Sequence, residues 1–129
     1  MSGYERLEID AAPETVVSAL RAVLRERDLI EYAVVDHGRD MAAAGRPGHR
    51  AWTLIFGNPA AGAKLLAIDL AAAVDIPLRL AVIAHADGSA VVWRDMRSLI
   101  DAPGLADAFT SVLRTLASTA ADRSTQRRA

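Results

Sequence analysis

Residues 78–95, LRLAVIAHADGSAVVWRD, form the stretch that decides the fold. Two apolar, β-forming runs flank Asp87-Gly88, a dipeptide typical of a two-residue hairpin turn because glycine tolerates the positive φ that such a turn requires. Pairing outward from this turn gives the register Ala84–Val91 and Val82–Trp93 on one face. The stretch therefore predicts a long hairpin, and with it an antiparallel sheet.

Further strands and helices follow from the periodicity of the apolar residues. Alternation predicts strands over residues 4–10 and 30–36, and its parity places Asp36 on the same side as Ile30, Tyr32 and Val34. The β-forming run over residues 52–56 is apolar on both faces apart from Thr53, which predicts a central strand. Helical spacing predicts helices from Pro13, over 37–44, from Pro59 with Ala61, Leu65 and Ile68 on one face, and over 105–120. The resulting order of strands and helices is that of an α+β domain.

Composition limits the class of protein. The chain has 129 residues and a formal net charge of -1, which argues against nucleic acid or an anionic membrane as a partner. The absence of cysteine excludes disulfides, thiolate catalysis and cysteine-based zinc sites. No apolar leader or membrane-spanning stretch is visible, so we expect a cytoplasmic location. We expect one domain over residues 1–121 and a flexible polar tail over 122–129.

Four fragments recur in the same order in one bacterial family. They are Asp36-His37, Phe56-Gly57-Asn58-Pro59 with Gly62, Asp75-Ile76-Pro77-Leu78, and Asp87-Gly88. On these fragments the sequence resembles the "domain of unknown function 302" family between about residues 16 and 100. It departs from the family pattern at Ala63, where threonine is common, and in the basic loop over residues 46–50.

The resemblance implies both a fold and an assembly. The implied fold is a curved antiparallel sheet with helices packed on one face, similar to the β-α-β4-α architecture of the TATA-box-binding protein. The family resemblance also implies a homodimer. Nucleic-acid binding does not follow from such a fold, because function depends on sites rather than on architecture.

The turn over residues 57–62 is the first candidate site. A strand ends at Phe56, Gly57 lets the backbone turn, and Asn58 precedes a helix whose free amides and dipole attract an anion. Gly62 gives a ligand or a second backbone room to approach. Together with His37, these residues predict a non-enzymatic module for a small polar or anionic ligand, without a cofactor. The alternative is that Asn58 only caps the helix and Gly57 only relieves strain.

Acid–base catalysis is the second hypothesis. Imidazole is the side chain best suited to proton transfer, so His37 with Asp36 or Asp75 offers the groups that such catalysis requires. Asp36 is equally explained as the N-cap of the helix that begins at His37. The three histidines lack metal-binding spacing, so we expect no metal site.

A third hypothesis comes from the N-terminal region. Residues 7–16, LEIDAAPETV, are similar to the opening of helix-grip ligand-binding domains of the polyketide-cyclase-like group. That similarity implies a carrier of hydrophobic ligands. The rest of the chain lacks the long series of strands that such domains contain.

Overall fold

Five strands form one antiparallel sheet in the computed structural model, which describes residues 3–126. The strands are β1 (Tyr4–Ile9), β2 (Ile30–Asp36), β3 (Ala51–Gly57), β4 (Leu78–His85) and β5 (Gly88–Arg94). The helices are α1 (Pro13–Glu26), α2 (His37–Ala43), α3 (Pro59–Ile68) and α4 (Pro103–Gln126), with short 3₁₀ helices at Leu70–Asp75 and Met96–Ser98. The class is α+β, and the order of strands and helices is the predicted one.

The order of the sheet, β1-β5-β4-β3-β2, explains why the first connection is a long helix. Every neighbouring pair is antiparallel, so the two edge strands, β1 and β2, run in the same direction. Strands that run the same way cannot be joined by a tight hairpin and need a crossover. α1 is that crossover, and it packs beside α4 on one face of the sheet.

The core lies between this face of the sheet and the two long helices. Alternate residues of the strands point into it, as a sheet with one buried face requires. Its largest fully buried apolar side chains come from α1, β3, β4, β5 and α4: Val16, Leu20, Val23, Leu24, Leu54, Phe56, Leu80, Val82, Val91, Leu113 and Leu116.

The predicted hairpin forms, but its turn comes one residue earlier than predicted. Ala86 and Asp87 make the two-residue loop, and His85 pairs with Gly88. The register is Ala84–Ser89 and Val82–Val91, two residues away from the predicted one. A shift of two residues keeps every side chain on its face, whereas a shift of one would have inverted the faces.

Glycine is needed at position 88 for a different reason than the one predicted. Ala86, not Gly88, takes the positive φ of the turn, at 51°. A Cβ at Gly88 would lie 2.4 Å from the carbonyl oxygen of Ile9. Gly88 therefore lets the backbone leaving β1 approach β5 closely.

The edge strand β2 contains a β-bulge at Tyr32. Glu31 pairs with Phe56 and Ala33 pairs with Ile55, so Tyr32 is the extra residue. The predicted alternation breaks there: Val34 and Asp36 lie opposite Leu54 and Trp52, whereas Ile30 lies opposite Gly57. A bulge changes the direction of the side chain at the extra residue, and Tyr32 is 52% exposed.

The C-terminal helix is longer than predicted. α4 continues to Gln126, where the sequence predicts a flexible tail from residue 122. Arg123 donates hydrogen bonds of 2.6 and 2.7 Å to Glu26 of α1, and Ser124 is buried. Residues 127–129 of the predicted tail lie outside the described residues.

Glu5 joins β1, β5 and α4 through its carboxylate. The indole nitrogen of Trp93 donates to Oε1 at 2.9 Å, and Nε of Arg114 donates to the same oxygen at 2.8 Å. The Arg114 hydrogen bond holds the pKa of Glu5 below its usual 4.5, and Trp93 lowers this pKa further, although partial burial opposes both. The lowered pKa makes this contact sensitive to acid.

Substitution of Gly88 tests the close approach of β1 to β5. We expect Gly88→Ala to lower the free energy of unfolding by about 1–3 kcal/mol, the usual cost of forcing a group into a packed site. Gly104, in the first turn of α4, is the matched control because a Cβ there meets nothing within 4 Å. Gly104→Ala should leave stability unchanged or raise it by about 0.5–1 kcal/mol. Urea unfolding measures both, and equal effects would contradict the explanation.

Acid titration tests the Glu5 contact. Because the folded pKa of Glu5 lies below its unfolded value, the contact stabilises the chain above that unfolded value and is lost as pH falls through the folded pKa. The difference in unfolding free energy between wild type and Arg114→Gln should therefore be largest near neutral pH and shrink below about pH 4. Arg46→Gln, in an exposed loop, should show no such trend in urea unfolding across pH. A constant Arg114→Gln difference would contradict the proposed linkage.

Candidate functional site

A cavity of about 500 Å³ lies where β3 ends and β4 begins. One wall is the end of the sheet and part of α4, including Phe56, Leu78, Phe109 and Val112. The other wall is α3 with the 3₁₀ helix after it. The volume falls within the range of about 300–1,000 Å³ that small-molecule sites occupy. None of the described residues that line the cavity carries a charged side chain.

The start of α3 is built as the sequence predicts. Phe56 is the last core-facing residue of β3 and is fully buried. Asn58 is the N-cap, its Oδ1 accepts a hydrogen bond of 3.0 Å from the Ala60 amide, and Pro59 is the first helical residue. The cap fixes the direction in which α3 leaves the sheet and so sets one wall of the cavity.

The two glycines of this turn face other side chains of the same chain. A Cβ at Gly57 would lie 3.4 Å from Cε2 of Tyr32 and 3.8 Å from Cβ of Pro77. A Cβ at Gly62 would lie 3.5 Å from Cδ1 of Ile76. The Tyr32 ring therefore lies directly beside the backbone of this turn, at a distance that a Cβ would also tolerate.

Four of the five predicted ligand-binding residues line this cavity, and His37 does not. The four are Phe56, Gly57, Asn58 and Gly62. His37 begins α2, and its Nε2 lies 2.6 Å from Oγ1 of Thr53. Thr53 pairs with Val35 and Ala81 on the face of the sheet opposite to the core.

The candidate catalytic residues do not come together. Asp36 caps α2, with its Oδ1 accepting from the Arg39 amide at 2.9 Å. Asp75 lines a smaller cavity of about 160 Å³ beside Asp101. Asp36 lies opposite Trp52 near one end of β3, whereas Asp75 precedes the strand that pairs with Phe56 near the other end. Four residues of strand separate these two levels by about 13 Å.

Sequence reasoning missed several residues of the cavity wall. Tyr32 was predicted to alternate with its neighbours, and the bulge that changes its direction leaves no mark in a short strand. Phe109 and Val112 lie within the helix predicted over residues 105–120, and both pack at the core. Only the way α3 leaves the sheet turns their end of the core into a cavity wall.

The comparisons with known proteins identify the family. The sequence matches the family described as "Domain of unknown function DUF302" over residues 6–122. The chain belongs to this family. The DUF302 domain described here is also similar to a crystal structure of an uncharacterized conserved DUF302 protein from Bacillus stearothermophilus, with a TM-score of 0.78 and 13% identity over 96% of this chain and 99% of that one. At that identity the likeness shows a common fold. No curated protein matches the sequence.

Two other features are absent from residues 3–126 of the DUF302 domain. Within that range no helix is both long enough and apolar enough to cross a membrane. The same residues contain no group of three or more histidine, aspartate and glutamate side chains placed to hold a metal ion.

Proposed function

We propose that this DUF302 domain is a non-enzymatic module that binds a small, mainly apolar ligand in the cavity beside the start of α3. The proposal rests on the composition of the cavity wall. The cavity has a volume of about 500 Å³, and none of the described residues that line it is charged. Small-molecule sites are typically concave and apolar, with a few polar groups that orient the ligand. Asn58 and the Tyr32 hydroxyl are the polar groups available here.

The chemistry of the helix start favours a mainly apolar ligand over the predicted anionic one. Pro59 has no N–H, and the Ala60 amide donates to Asn58. Of the first three helical residues, at most Ala61 therefore has an amide to offer to an anion. Ala63, where the family commonly has threonine, adds a further apolar side chain to the wall. A polar group on the ligand is best placed at Asn58, with the apolar body in the cavity.

The alternative functions are supported less well. An enzyme would need His37 with Asp36 or Asp75 within hydrogen-bond reach of one substrate. His37 instead contacts Thr53, and Asp36 caps α2, both away from the cavity wall. The third hypothesis, a carrier of hydrophobic ligands, agrees with the ligand chemistry proposed here. It differs in the fold, since this chain is a DUF302 domain and not a helix-grip domain.

The proposed module is a homodimer that uses the face of the sheet opposite to α1 and α4. That face carries small and aliphatic side chains in adjacent strands: Ala33, Val35, Thr53, Ile55, Ala81, Ile83 and Val92. The same face carries Arg6 opposite Val92 and Arg79 opposite Ile55, and an apolar patch beside charged residues is typical of an interaction site.

The solution mass tests the dimer. Sedimentation equilibrium should give twice the chain mass of 13.7 kDa. Ile83→Arg, in the middle of the open face, should shift the protein to monomer, because an arginine there meets the partner's apolar face. The matched control is Ala84→Arg on the same strand, since Ala84 is exposed and points to the other side. A monomeric wild type, or a dimeric Ile83→Arg, would overturn the proposal for this face.

Filling the cavity tests ligand binding. In amide NMR, uncharged apolar fragments, both saturated and aromatic, should shift signals of residues 56–63 and 109–112. Ala63→Phe should abolish those shifts because the new ring occupies the cavity. Ala67→Phe, one turn further along α3 and outside the wall, should bind the fragments as wild type does. A broad fragment panel without shifts in the wild type would sink the proposed function.

A further inference from the structure

Aromatic side chains are concentrated on the cavity. The chain contains two phenylalanines, two tyrosines and two tryptophans. Three of these six side chains line the cavity, namely Tyr32, Phe56 and Phe109. They come from β2, β3 and α4, elements that are far apart in the sequence. The fold thus brings half of the chain's aromatic rings to one place.

The other aromatic side chains are engaged elsewhere. The Tyr4 ring lies 4.2 Å from the guanidinium carbon of Arg94, in a cation–π contact. Trp93 donates its indole N–H to Glu5. Trp52 packs against the core from β3. Of the three cavity rings, Phe56 is completely covered by its neighbours, whereas Phe109 and above all Tyr32 reach the open volume.

Exposure differs among the three cavity rings. Phe56 is fully buried and Phe109 is 7% exposed, so these two belong to the inner wall. Tyr32 is 52% exposed and marks the mouth of the cavity. The bulge in β2 directs Tyr32 there, and its ring lies beside the backbone of Gly57. A ring held at the mouth and still half-exposed is available to contact a ligand.

We infer that the cavity selects uncharged, planar aromatic rings and that Tyr32 is the residue that determines this selectivity. The inference rests on the proposed function, in which the cavity binds an apolar ligand. Aromatic rings attract one another beyond the burial of area because their faces are negative and their edges positive. The described wall has no charged side chain, so a charged group on the ligand would lose its hydration without gaining a partner.

A matched set of three compounds tests both parts of the inference. 2-Naphthol and decahydro-2-naphthol have the same fused two-ring skeleton and hydroxyl, but only the former is planar and aromatic. 2-Naphthoate keeps the aromatic rings and adds a negative charge. Titrations of the wild-type protein, followed by amide NMR, should give a Kd for 2-naphthol about 2- to 12-fold lower than for decahydro-2-naphthol. 2-Naphthoate should bind about tenfold more weakly than 2-naphthol, or worse.

Two substitutions assign the selectivity to Tyr32. Tyr32→Phe keeps the ring and should keep the preference for 2-naphthol over its saturated analogue. Tyr32→Leu keeps an apolar side chain without a ring and should reduce that preference to less than about twofold. Both changes are at a half-exposed residue, so both variants should fold. Urea midpoints close to that of the wild type check this.

The outcomes distinguish a failure of the inferred ring selectivity from a failure of the proposed function. If none of the three compounds shifts the amides of the cavity wall, the proposed function fails. If 2-naphthol and its saturated analogue bind equally well, the cavity binds apolar ligands but the ring selectivity is wrong. If Tyr32→Leu keeps the wild-type preference, Tyr32 does not determine it. If 2-naphthoate binds most tightly, the site takes an anion, as the sequence predicts, and the inferred ligand class is overturned.

Discussion

The structure depends on burying one face of a five-stranded sheet beneath α1 and α4. The two edge strands run in the same direction, so α1 must cross the whole sheet, and this crossing brings it beside α4. The last pairing, of β1 with β5, adds the N-terminal strand to the sheet. It requires the bare backbone of Gly88 and is held from the helix side by Glu5, which accepts from β5 and α4. The remaining segments are arranged around this framework.

The cavity exists because α3 and the 3₁₀ helix after it do not fill the end of the core. α3 buries only Leu65, and no residue of the 3₁₀ helix is buried. Much of this segment is alanine, whose side chain is too small to reach the opposite wall. The result is a concave apolar volume of about 500 Å³ that is open to solvent, whereas the adjoining core is close-packed. A volume of this kind is more typical of a binding site than of a core.

The sequence predicted the parts of the fold that depend on local chemistry. The N-cap at Asn58 and the helix start at Pro13 are confirmed because these residue types satisfy or lack the backbone groups at a helix start. The hairpin was placed correctly but its turn was not. Gly88 was predicted as a turn residue, whereas the structure requires glycine there because the Ile9 carbonyl oxygen lies so close. Ile68 was predicted to share an apolar face with Leu65, yet it is 65% exposed. Periodicity identifies a helix face but not whether another element covers it.

The candidate site was predictable only in part, because periodicity does not show how separate elements meet in the fold. The residues at 56–58 and 62 are contiguous, and their turn chemistry is visible in the sequence. The rings of Tyr32 and Phe109 reach the site through a bulge and through the exit angle of α3, neither of which periodicity encodes. His37 was grouped with the turn because of its imidazole chemistry and its place in a family fragment, and the structure places it beside Thr53 instead.

An unfilled apolar cavity lowers the stability of the fold, and this loss of stability bears on its function. Each apolar wall atom that faces the opening gives up contacts that a filled core would make. Larger side chains at Ala61, Ala63 or Ala73 would recover part of that loss, and substitutions that fill cavities commonly stabilise proteins by about 0.5–2 kcal/mol. A half-exposed Tyr32 beside a glycine adds to the cost, since its ring surface is only partly removed from water. A chain that keeps small residues along this wall, with the rings of Phe109 and Tyr32 at the open volume, has the composition of a site whose missing contacts are supplied by a ligand.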